Sequence, residues 1–270
     1  MAEPVRRAAV LGRPIGHSLS PVLHRAAYLA LGLTWSYEAI ECGADQLADV
    51  LAQRSNWAGF SCTMPLKRAV LEVADEVRPR AATVGAGNTL LPRAGGGWIA
   101  DNTDVVGIVA TVREAGLAPA TVTVLGAGGT AQAAVAALPE LGVARCAVLV
   151  RDAGRTGELR RTAQRAGVEV EVGALDDAAA LQADLVVSTL PGGAADAFAG
   201  AGWRRGQAVL DVVYDPWPSP LAAGAERAGA IALSGIRMLL HQAAAQVELM
   251  TGSSAPVAAM ADALRRTLER

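Results

Sequence analysis

Lysine occurs once in this chain, and that position is a candidate for proton transfer. Of 24 basic side chains, 23 are arginine and Lys67 is the exception. Arginine does not release its proton at workable pH, whereas a desolvated lysine ammonium can donate and accept one. The alternative is an arginine-rich composition that left one lysine by accident. We predict that Lys67 transfers a proton, because arginine cannot take that role.

Asp104 is a carboxylate that could work with this lysine. It ends the run Asp101-Asn102-Thr103-Asp104, just after a predicted strand, while Lys67 follows another strand where Pro65 begins a turn into a helix. A lysine and a carboxylate brought together can share a proton. The competing explanations are a surface cation for Lys67 and a helix N-cap for Asp104, which precedes the helical run Val105 to Ala115.

A second chemical motif is a glycine-rich turn between a β-branched strand and a helix. The run from Thr121 to Ala131 reads TVTVLGAGGTA and fits the pattern G-x-G-x-x-A. Such a turn lets backbone approach a pyrophosphate, and the helix aims unpaired N–H groups at the anion. An ordinary strand-to-helix turn is the alternative. The predicted nucleotide contacts are Gly126, Ala127, Gly128, Gly129, Thr130 and Ala131.

The choice between NADP and NAD is predicted from the end of the next strand. An acidic residue there binds the ribose hydroxyl of NAD, whereas arginine accommodates the 2'-phosphate of NADP. The strand ends in Val150-Arg151-Asp152, and Arg155 follows. Two guanidinium groups favour NADP, while Asp152 is the contrary feature.

Composition excludes several other classes of protein. With 270 residues, of which 52% are hydrophobic and 19% charged, the chain can bury a substantial core and is long enough for two domains. The net charge of -2 and the scattered arginine pairs give no basic patch for nucleic acid. Cys42, Cys62 and Cys146 are odd in number and far apart, without nearby histidines. We expect reduced thiols, no metal and a cytoplasmic location.

Neither an export signal nor a membrane segment is expected. The start MAEPVRR leads into a short apolar run that lacks the features of a signal peptide. The uncharged span from Ala115 to Pro139 is long enough to cross a membrane, but Pro119 and the glycines interrupt it. A strand, a turn and a helix explain it better.

Alternating β-rich and alanine-rich runs predict an α/β fold. The predicted strands are Ala8–Leu11, Trp35–Ile40, Gly59–Thr63, Asn88–Leu91, Thr121–Leu125, Cys146–Val150, Val168–Val172, Asp184–Thr189 and Ala208–Val213. The predicted helices are Pro21–Leu31, Ala44–Gln53, Leu66–Val73, Thr130–Leu141, Gly154–Ala166, Ile236–Met250 and Ala255–Leu268. The alternation restarts after about residue 104, and the second half resembles one doubly wound unit.

Several motifs together resemble the shikimate dehydrogenase family over nearly the whole chain. The matching segments are Gly12–Pro21 (GRPIGHSLSP), Thr63–Lys67 (TMPLK), Gly87–Thr89 (GNT), Asn102–Asp104 with Gly107, the glycine loop, Ser188–Pro191 (STLP), Tyr214–Leu221 (YDPWPSPL), Gly235 and Met238–Ala243 (MLLHQA). Their number and order make coincidence very unlikely. Ser20, which precedes Pro21, also fits an N-cap position.

The resemblance implies an N-terminal α/β substrate-binding domain (residues 1–103) and a Rossmann-type NADP domain with a doubly wound parallel sheet (104–237). C-terminal helices (238–270) would return to the first domain, and NADP would lie along the groove between the domains. The implied catalytic residues are Lys67 and Asp104. The implied substrate contacts add Ser18, Ser20, Thr63, Asn88, Tyr214 and Gln242. The implied cofactor contacts are the glycine loop with Arg151, Arg155, Thr189, Val213, Gly235 and Met238.

The expected activity is the reversible reduction of 3-dehydroshikimate to shikimate by NADPH, in a monomer or homodimer. Three departures from the family pattern stand out: Ser61 replaces asparagine, Cys62 replaces valine, and Val150-Arg151-Asp152 replaces asparagine-arginine-threonine. Two alternatives stay open: a related dehydrogenase acting on quinate or aminoshikimate, and a non-catalytic NADP-binding regulator.

Overall fold

A computed structural model describes residues 6–177 and 179–269 of the chain. The strands are β1 (Arg7–Gly12), β2 (Ser36–Glu41), β3 (Gly59–Cys62), β4 (Glu76–Val77), β5 (Thr89–Pro92), β6 (Trp98–Asp101), β7 (Val122–Leu125), β8 (Arg145–Val150), β9 (Glu169–Ala174), β10 (Leu185–Ser188), β11 (Ala208–Asp211) and β12 (Ile231–Ser234). The helices are α1 (Ser20–Ala30), α2 (Leu47–Ala52), α3 (Ala69–Val73), α4 (Pro79–Val84), α5 (Asp104–Glu114), α6 (Gly129–Ala137), α7 (Gly157–Ala166), α8 (Pro220–Arg227), α9 (Gly235–Thr251) and α10 (Val257–Leu268). The α/β class predicted from the alternation is confirmed.

The chain forms two compact units, each built on a six-stranded sheet. One unit comprises the chain up to Thr103 together with the segment from Leu240 onward, and the other spans Asp104–Leu239. The C-terminal helical segment belongs to the first unit, where α10 packs against α1. No helix among the described residues is long and apolar enough to cross a membrane.

The sheet of the first unit has the order β2-β1-β3-β5-β6-β4 and is mixed rather than fully parallel. Strand β1 runs parallel to β2 and β3, whereas β5 runs antiparallel to both β3 and β6. The tight connection between β5 and β6 contains three glycines with positive φ, Gly95 to Gly97, which permit the reversal of direction. Below the sheet, Phe60 packs between the rings of Trp57 and Trp98 in the core.

The sheet of the second unit is fully parallel, with the order β12-β11-β10-β7-β8-β9. Counted from β7 as the first strand, this is the order 6-5-4-1-2-3, which defines a doubly wound dinucleotide-binding fold. The inner strands β7, β10 and β11 are short, mainly apolar runs in which every residue is buried, as expected when helices cover both sides of a parallel sheet, whereas the edge strand β9 is partly exposed.

Several predicted elements differ in detail from the structure. Ser20 is not the N-cap of α1: Leu19 occupies that position, and the Ser18 hydroxyl accepts the Ser20 N–H at 3.3 Å. The helix predicted from Leu66 begins only at Ala69, because residues 64–68 form turns after Pro65. Three short strands were not among those predicted, namely β4, β6 and β12, and helices α4 and α8 were also missed. Each has six residues or fewer except α8, which has eight, and such short segments carry little periodic signal.

Candidate functional site

Most predicted substrate residues of the first unit lie at or near one edge of its sheet. Strands β1, β3 and β6 end there, and the antiparallel β5 begins there, since Thr89 pairs with both Ser61 and Asp101. The loops after β1 and β3 are bonded to each other: Thr63 N–H donates to Leu11 O at 2.9 Å, and Arg13 N–H donates to Met64 O at 2.9 Å. The fold therefore gathers segments that are far apart in sequence.

Gly12 allows these two loops to approach closely. A Cβ atom at Gly12 would lie 2.4 Å from Thr63 Cγ2 and 2.9 Å from Met64 O, distances at which something must shift. A side chain here would push the loop that carries Ser18 and Ser20 away from the loop that carries Lys67. The glycine is thus a requirement of the site and not only of the strand end.

Lys67 lies in the turn between β3 and α3, and its side chain is half-buried. Its backbone is tied to the neighbouring segment, because Gly87 N–H donates to Lys67 O at 2.7 Å. That bond holds the lysine backbone next to the segment that ends in Asn88, which is the first residue before β5. The lysine motif and the asparagine segment, which are about twenty residues apart in sequence, are therefore neighbours in the fold.

Asn88 is buried and takes part in a dense hydrogen-bond cluster. Its Oδ1 accepts the Thr103 N–H at 2.8 Å and the Thr89 hydroxyl at 2.8 Å. Its Nδ2 donates to Thr103 Oγ1 at 3.0 Å and, more weakly, to Gln242 Oε1 at 3.4 Å. The structure therefore brings together two predicted substrate residues, Asn88 and Gln242, that are 154 positions apart in sequence.

Five polar residues in or around this cluster were not among the predicted site residues, namely Thr103, Thr89, Gln246, Ser61 and Tyr37. Gln246 donates from Nε2 to Asn88 O at 3.0 Å and to Thr89 Oγ1 at 2.9 Å. Its Oε1 accepts the Ser61 hydroxyl at 2.7 Å, and Ser61 Oγ in turn accepts the Tyr37 hydroxyl at 2.6 Å. One signal could have found Gln246: Gln242 and Gln246 are spaced i, i+4 in an otherwise apolar run and so share a helix face.

Asp104 belongs to the second unit and is the first residue of α5. Its side chain is only 5% exposed. A carboxylate in the first turn of a helix is stabilised by the unpaired N–H groups and the helix dipole. The helix begins at Asp104, one residue earlier than the run from Val105 predicted.

The glycine loop of the second unit has the geometry that a pyrophosphate requires. It follows β7, which lies beside β10 at the point where the strand order reverses, the usual place for a dinucleotide. Gly126 has φ +105°, and a Cβ there would lie 2.7 Å from Thr189 Oγ1, so only glycine fits. Gly128 is the N-cap of α6, and a Cβ there would meet no atom within 4 Å. The space above Gly128 and the N-terminus of α6 fit a bound phosphate group.

The residues predicted to choose between NADP and NAD follow β8 at the same edge. Arg151, Asp152 and Arg155 are all exposed. The Asp152 carboxylate caps the 3-10 turn at Ala153–Thr156, since its Oδ1 accepts the Gly154 N–H at 2.8 Å. The one acidic group that favours NAD is thus engaged by the backbone, while both arginine side chains extend from an exposed loop.

The loops after β11 and β12 complete this edge of the second sheet. Buried Asp211, at the end of β11, accepts the Val213 N–H at 3.2 Å and the Ser219 hydroxyl at 2.6 Å, which closes the loop that carries Tyr214. Burial raises the pKa of Asp211, and burial together with Asp215 raises the pKa of the Tyr214 hydroxyl. A Cβ at Gly235 would lie 2.2 Å from Val212 O, so only glycine at position 235 allows the start of α9 to lie this close to the loop.

The helix that begins at Gly235 also carries Met238, which is buried at 7% exposure. The predicted cofactor residues after β7, β8, β10, β11 and β12 therefore lie at or near one edge of the second sheet. Among the described residues, no group of three or more histidine, cysteine, aspartate or glutamate side chains is placed to hold a metal ion.

Two segments of the chain match models of known protein families. Residues 10–90 match the shikimate dehydrogenase substrate binding domain, and residues 235–265 match the shikimate 5'-dehydrogenase C-terminal domain. The first match spans the loops after β1 and β3 and the segment that contains Asn88. The second covers the helix that carries Gln242 and Gln246.

Whole-length relatives extend this match. A curated relative from Citrifermentans bemidjiense, named shikimate dehydrogenase (NADP(+)), is 38% identical over 276 aligned positions, which cover 97% of this chain and 95% of the relative. A crystal structure of a shikimate 5-dehydrogenase from Mycobacterium fortuitum is 47% identical and has a TM-score of 0.88, covering 97% of this chain and 99% of that chain. A quinate dehydrogenase from Corynebacterium glutamicum, solved in complex with NAD, is 29% identical with a TM-score of 0.88 and covers 97% and 99% of the two chains. By these similarities, this chain belongs to the shikimate dehydrogenase family.

Proposed function

We propose that this chain catalyses the reversible reduction of 3-dehydroshikimate to shikimate with NADPH, in the biosynthesis of aromatic amino acids. The observation that carries the proposal is the gathering of Asn88, Gln242 and the Lys67 turn at one sheet edge within the family-matched segments. The Citrifermentans bemidjiense relative is named shikimate dehydrogenase (NADP(+)) and aligns with nearly the whole chain, which supports this reaction and this cofactor.

The reaction reduces a ring ketone to a secondary alcohol, so the carbonyl carbon gains a hydride and the oxygen gains a proton. NADPH, when bound, supplies the hydride. Lys67 stabilises the negative charge that develops on the oxygen and donates the proton to it. Asp104 assists this proton transfer, and in the oxidative direction Lys67 takes the proton from the reacting hydroxyl of shikimate.

The remaining residues bind and orient the substrate in this proposal. The hydroxyls of Ser18 and Ser20 hold the carboxylate, since a hydroxyl donates readily to an anion. Thr63, Asn88 and Gln242 hydrogen-bond the ring hydroxyls, and Tyr214 helps position the substrate. Holding the ring in one orientation brings the reacting carbon and the proton donor into register, which lowers the entropic part of the barrier.

NADP is the proposed cofactor because the exposed Arg151 and Arg155 follow β8 at the position of the 2'-phosphate. The capping role of Asp152 reduces its availability to a ribose hydroxyl. The proposed location is the cytoplasm, which agrees with three free, buried thiols. We propose a monomer or homodimer, which sedimentation of the purified protein would decide.

The first experiment follows nicotinamide absorbance when purified protein is mixed with shikimate or quinate and with NADP+ or NAD+. Rapid reduction with shikimate and NADP+ alone is the expected result. Activity with quinate or NAD+ would instead favour the broader substrate range of the quinate dehydrogenase relative. Absence of activity in all four mixtures would leave a nucleotide-binding regulator as the better explanation.

A second experiment separates the charge of Lys67 from its proton. Lys67→Ala should lower turnover on the order of 100-fold or more, the usual cost of losing an acid-base group, with little change in shikimate KM. Lys67→Arg keeps the positive charge but cannot release a proton, so its turnover should fall similarly. Arg68→Ala, which removes the adjacent exposed cation, is the matched control. Near-normal turnover of Lys67→Arg would mean that Lys67 contributes only its positive charge and does not transfer the proton.

A further inference from the structure

A chain of buried hydrogen bonds runs from Tyr37 to Asn88, and the direction of each bond can be worked out. Its members are Tyr37, Ser61, Gln246, Thr89 and Asn88, with exposures between 0% and 4%. They come from β2, β3, α9 and the start of β5, all within the first unit. Each link is between 2.6 and 2.9 Å.

Two backbone groups determine the polarity of this chain. The Asn88 carbonyl can only accept, so the Gln246 atom 3.0 Å from it must be the amide nitrogen. The Gln246 oxygen then faces Ser61, which must donate its hydroxyl hydrogen and accept the one from Tyr37. Buried hydrogen-bonding groups are costly to leave unmatched, so the opposite polarity is disfavoured.

The second determining group is the Thr103 N–H, which can only donate. The Asn88 side-chain atom 2.8 Å from it must therefore be the oxygen Oδ1. Thr89 uses its hydroxyl hydrogen to donate to the same oxygen, and its lone pair accepts from Gln246. Both determining groups require the same donor-to-acceptor direction. Tyr37 donates to Ser61 and Ser61 donates to Gln246, while Gln246 donates to Thr89 and Thr89 donates to Asn88.

We propose that Tyr37, Ser61, Gln246 and Thr89 are positioning residues that hold the Asn88 amide with its nitrogen toward Gln242, so that the hydrogen shared weakly with Gln242 Oε1, at 3.4 Å, can be donated to the substrate instead. This inference rests on the proposed function, which makes Asn88 a substrate contact. A substrate hydroxyl that faces Asn88 must then accept a hydrogen bond, which restricts how the ring can bind. Ser61, which departs from the family pattern, is one link in this chain.

Thr89→Val tests the proposal, because valine keeps the shape of the side chain and removes the hydroxyl. Without that donor, Asn88 Oδ1 loses one of the hydrogen bonds that fix its orientation and keeps the one from the Thr103 N–H, so the amide is held less firmly. Shikimate KM should then rise roughly tenfold while NADP+ KM stays within about twofold. Thr89→Ser restores the hydroxyl and should return shikimate KM to near the wild-type value. Thr111→Val is the matched control, since that buried hydroxyl bonds only the Gly107 carbonyl of its own helix, at 2.7 Å.

A direct readout of the amide does not depend on catalysis. The chain has three asparagines, at positions 56, 88 and 102. Labelling asparagine with ¹⁵N therefore gives few side-chain amide signals, and Asn88→Ser identifies the one from Asn88. The Asn88 amide hydrogens should exchange slowly with solvent in the wild type and in Thr89→Ser, and much faster in Thr89→Val.

The outcomes separate this inference from the proposed function. Unchanged shikimate KM and unchanged amide exchange in Thr89→Val would overturn the positioning role, as would a failure of Thr89→Ser to restore both. If the wild-type protein did not oxidise shikimate, the proposed function would be wrong. The exchange comparison in the ligand-free protein would still decide whether the chain orients Asn88.

Discussion

Replacing His24 with phenylalanine should make this protein's stability less sensitive to acid. His24 is fully buried in the first unit and stacks on Tyr37, with the ring centroids 4.0 Å apart. Burial lowers its pKa from 6.5 to about 3, which outweighs the opposite effect of Gln246. Among the described residues, no group lies within hydrogen-bonding geometry of His24 Nε2.

The direction in which pH changes the free energy of unfolding follows from the number of protons that each state binds. Because the folded pKa is lowered, the unfolded chain binds more protons than the folded protein between about pH 6.5 and pH 3. The His24 contribution to stability is fully present above pH 6.5 and is lost progressively as the pH falls toward 3. At pH 5.5, most unfolded molecules carry the proton while folded ones do not, which lowers the free energy of unfolding by about 1.4 kcal/mol.

The assay is urea unfolding followed by tryptophan fluorescence at pH 7.5 and pH 5.5. The wild type should lose about 1.4 kcal/mol more than His24→Phe between these two conditions. Phenylalanine preserves a flat ring against Tyr37, so the stacked packing is kept while the titrating group is removed. His17→Phe is the control, because it removes an exposed histidine and should show the wild-type acid response.

Two results would refute this reasoning. One is an equal loss of stability in the wild type and in His24→Phe between pH 7.5 and pH 5.5. The other is an NMR titration in which the His24 ring of the folded protein protonates near pH 6.5. Either would mean that the ring is solvated or hydrogen-bonded in the folded state, in contrast to the burial described above.

Four further predictions concern the two proposed sites. Gly126→Ala should destabilise the protein by roughly 1 to 3 kcal/mol, since alanine is strained at φ +105° and its Cβ meets Thr189, as calorimetry would measure. Gly128→Ala should leave the melting temperature unchanged but weaken NADP+ binding measured by titration calorimetry, because its Cβ is blocked only by a bound phosphate. An equal loss of stability in both variants would contradict this contrast. Arg151→Gln should raise NADP+ KM on the order of tenfold and leave NAD+ KM unchanged, since a charge-assisted bond to phosphate is lost; parallel changes for both cofactors would rule out phosphate recognition. Acetylation of Lys67, readable by mass spectrometry because it is the only lysine, should slow in the presence of shikimate, and no protection would argue against a substrate contact.

Several features of the protein could be predicted because they depend on nearby residues. The strand before Gly126, the glycine turn and the helix after it all arise from a stretch of about twenty residues. The buried parallel strands of the second unit could also be predicted, because each is a short apolar run that is recognisable in the sequence. Short elements such as Glu76–Val77 could not be predicted, because two residues have no period.

The sequence by itself determined the α/β class, the nucleotide loop and the identity of the candidate catalytic residues. Lys67 stands out through composition alone, and the spacing of Gly126 and Gly128 follows from the local requirements of a phosphate turn. Family motifs then identified Asn88 and Gln242 as site residues, although no local pattern relates one to the other.

Only the tertiary structure decided which of these residues share hydrogen bonds. Ser61 and Gln246 are 185 positions apart, and their bond exists because β3 and α9 pack within the same unit. The direction of the chain that ends at Asn88 depends on a carbonyl and an N–H that become close only in the folded protein. Hydrogen-bond polarity and burial, including that of His24, are properties of assembled neighbours, and no single segment of sequence specifies them.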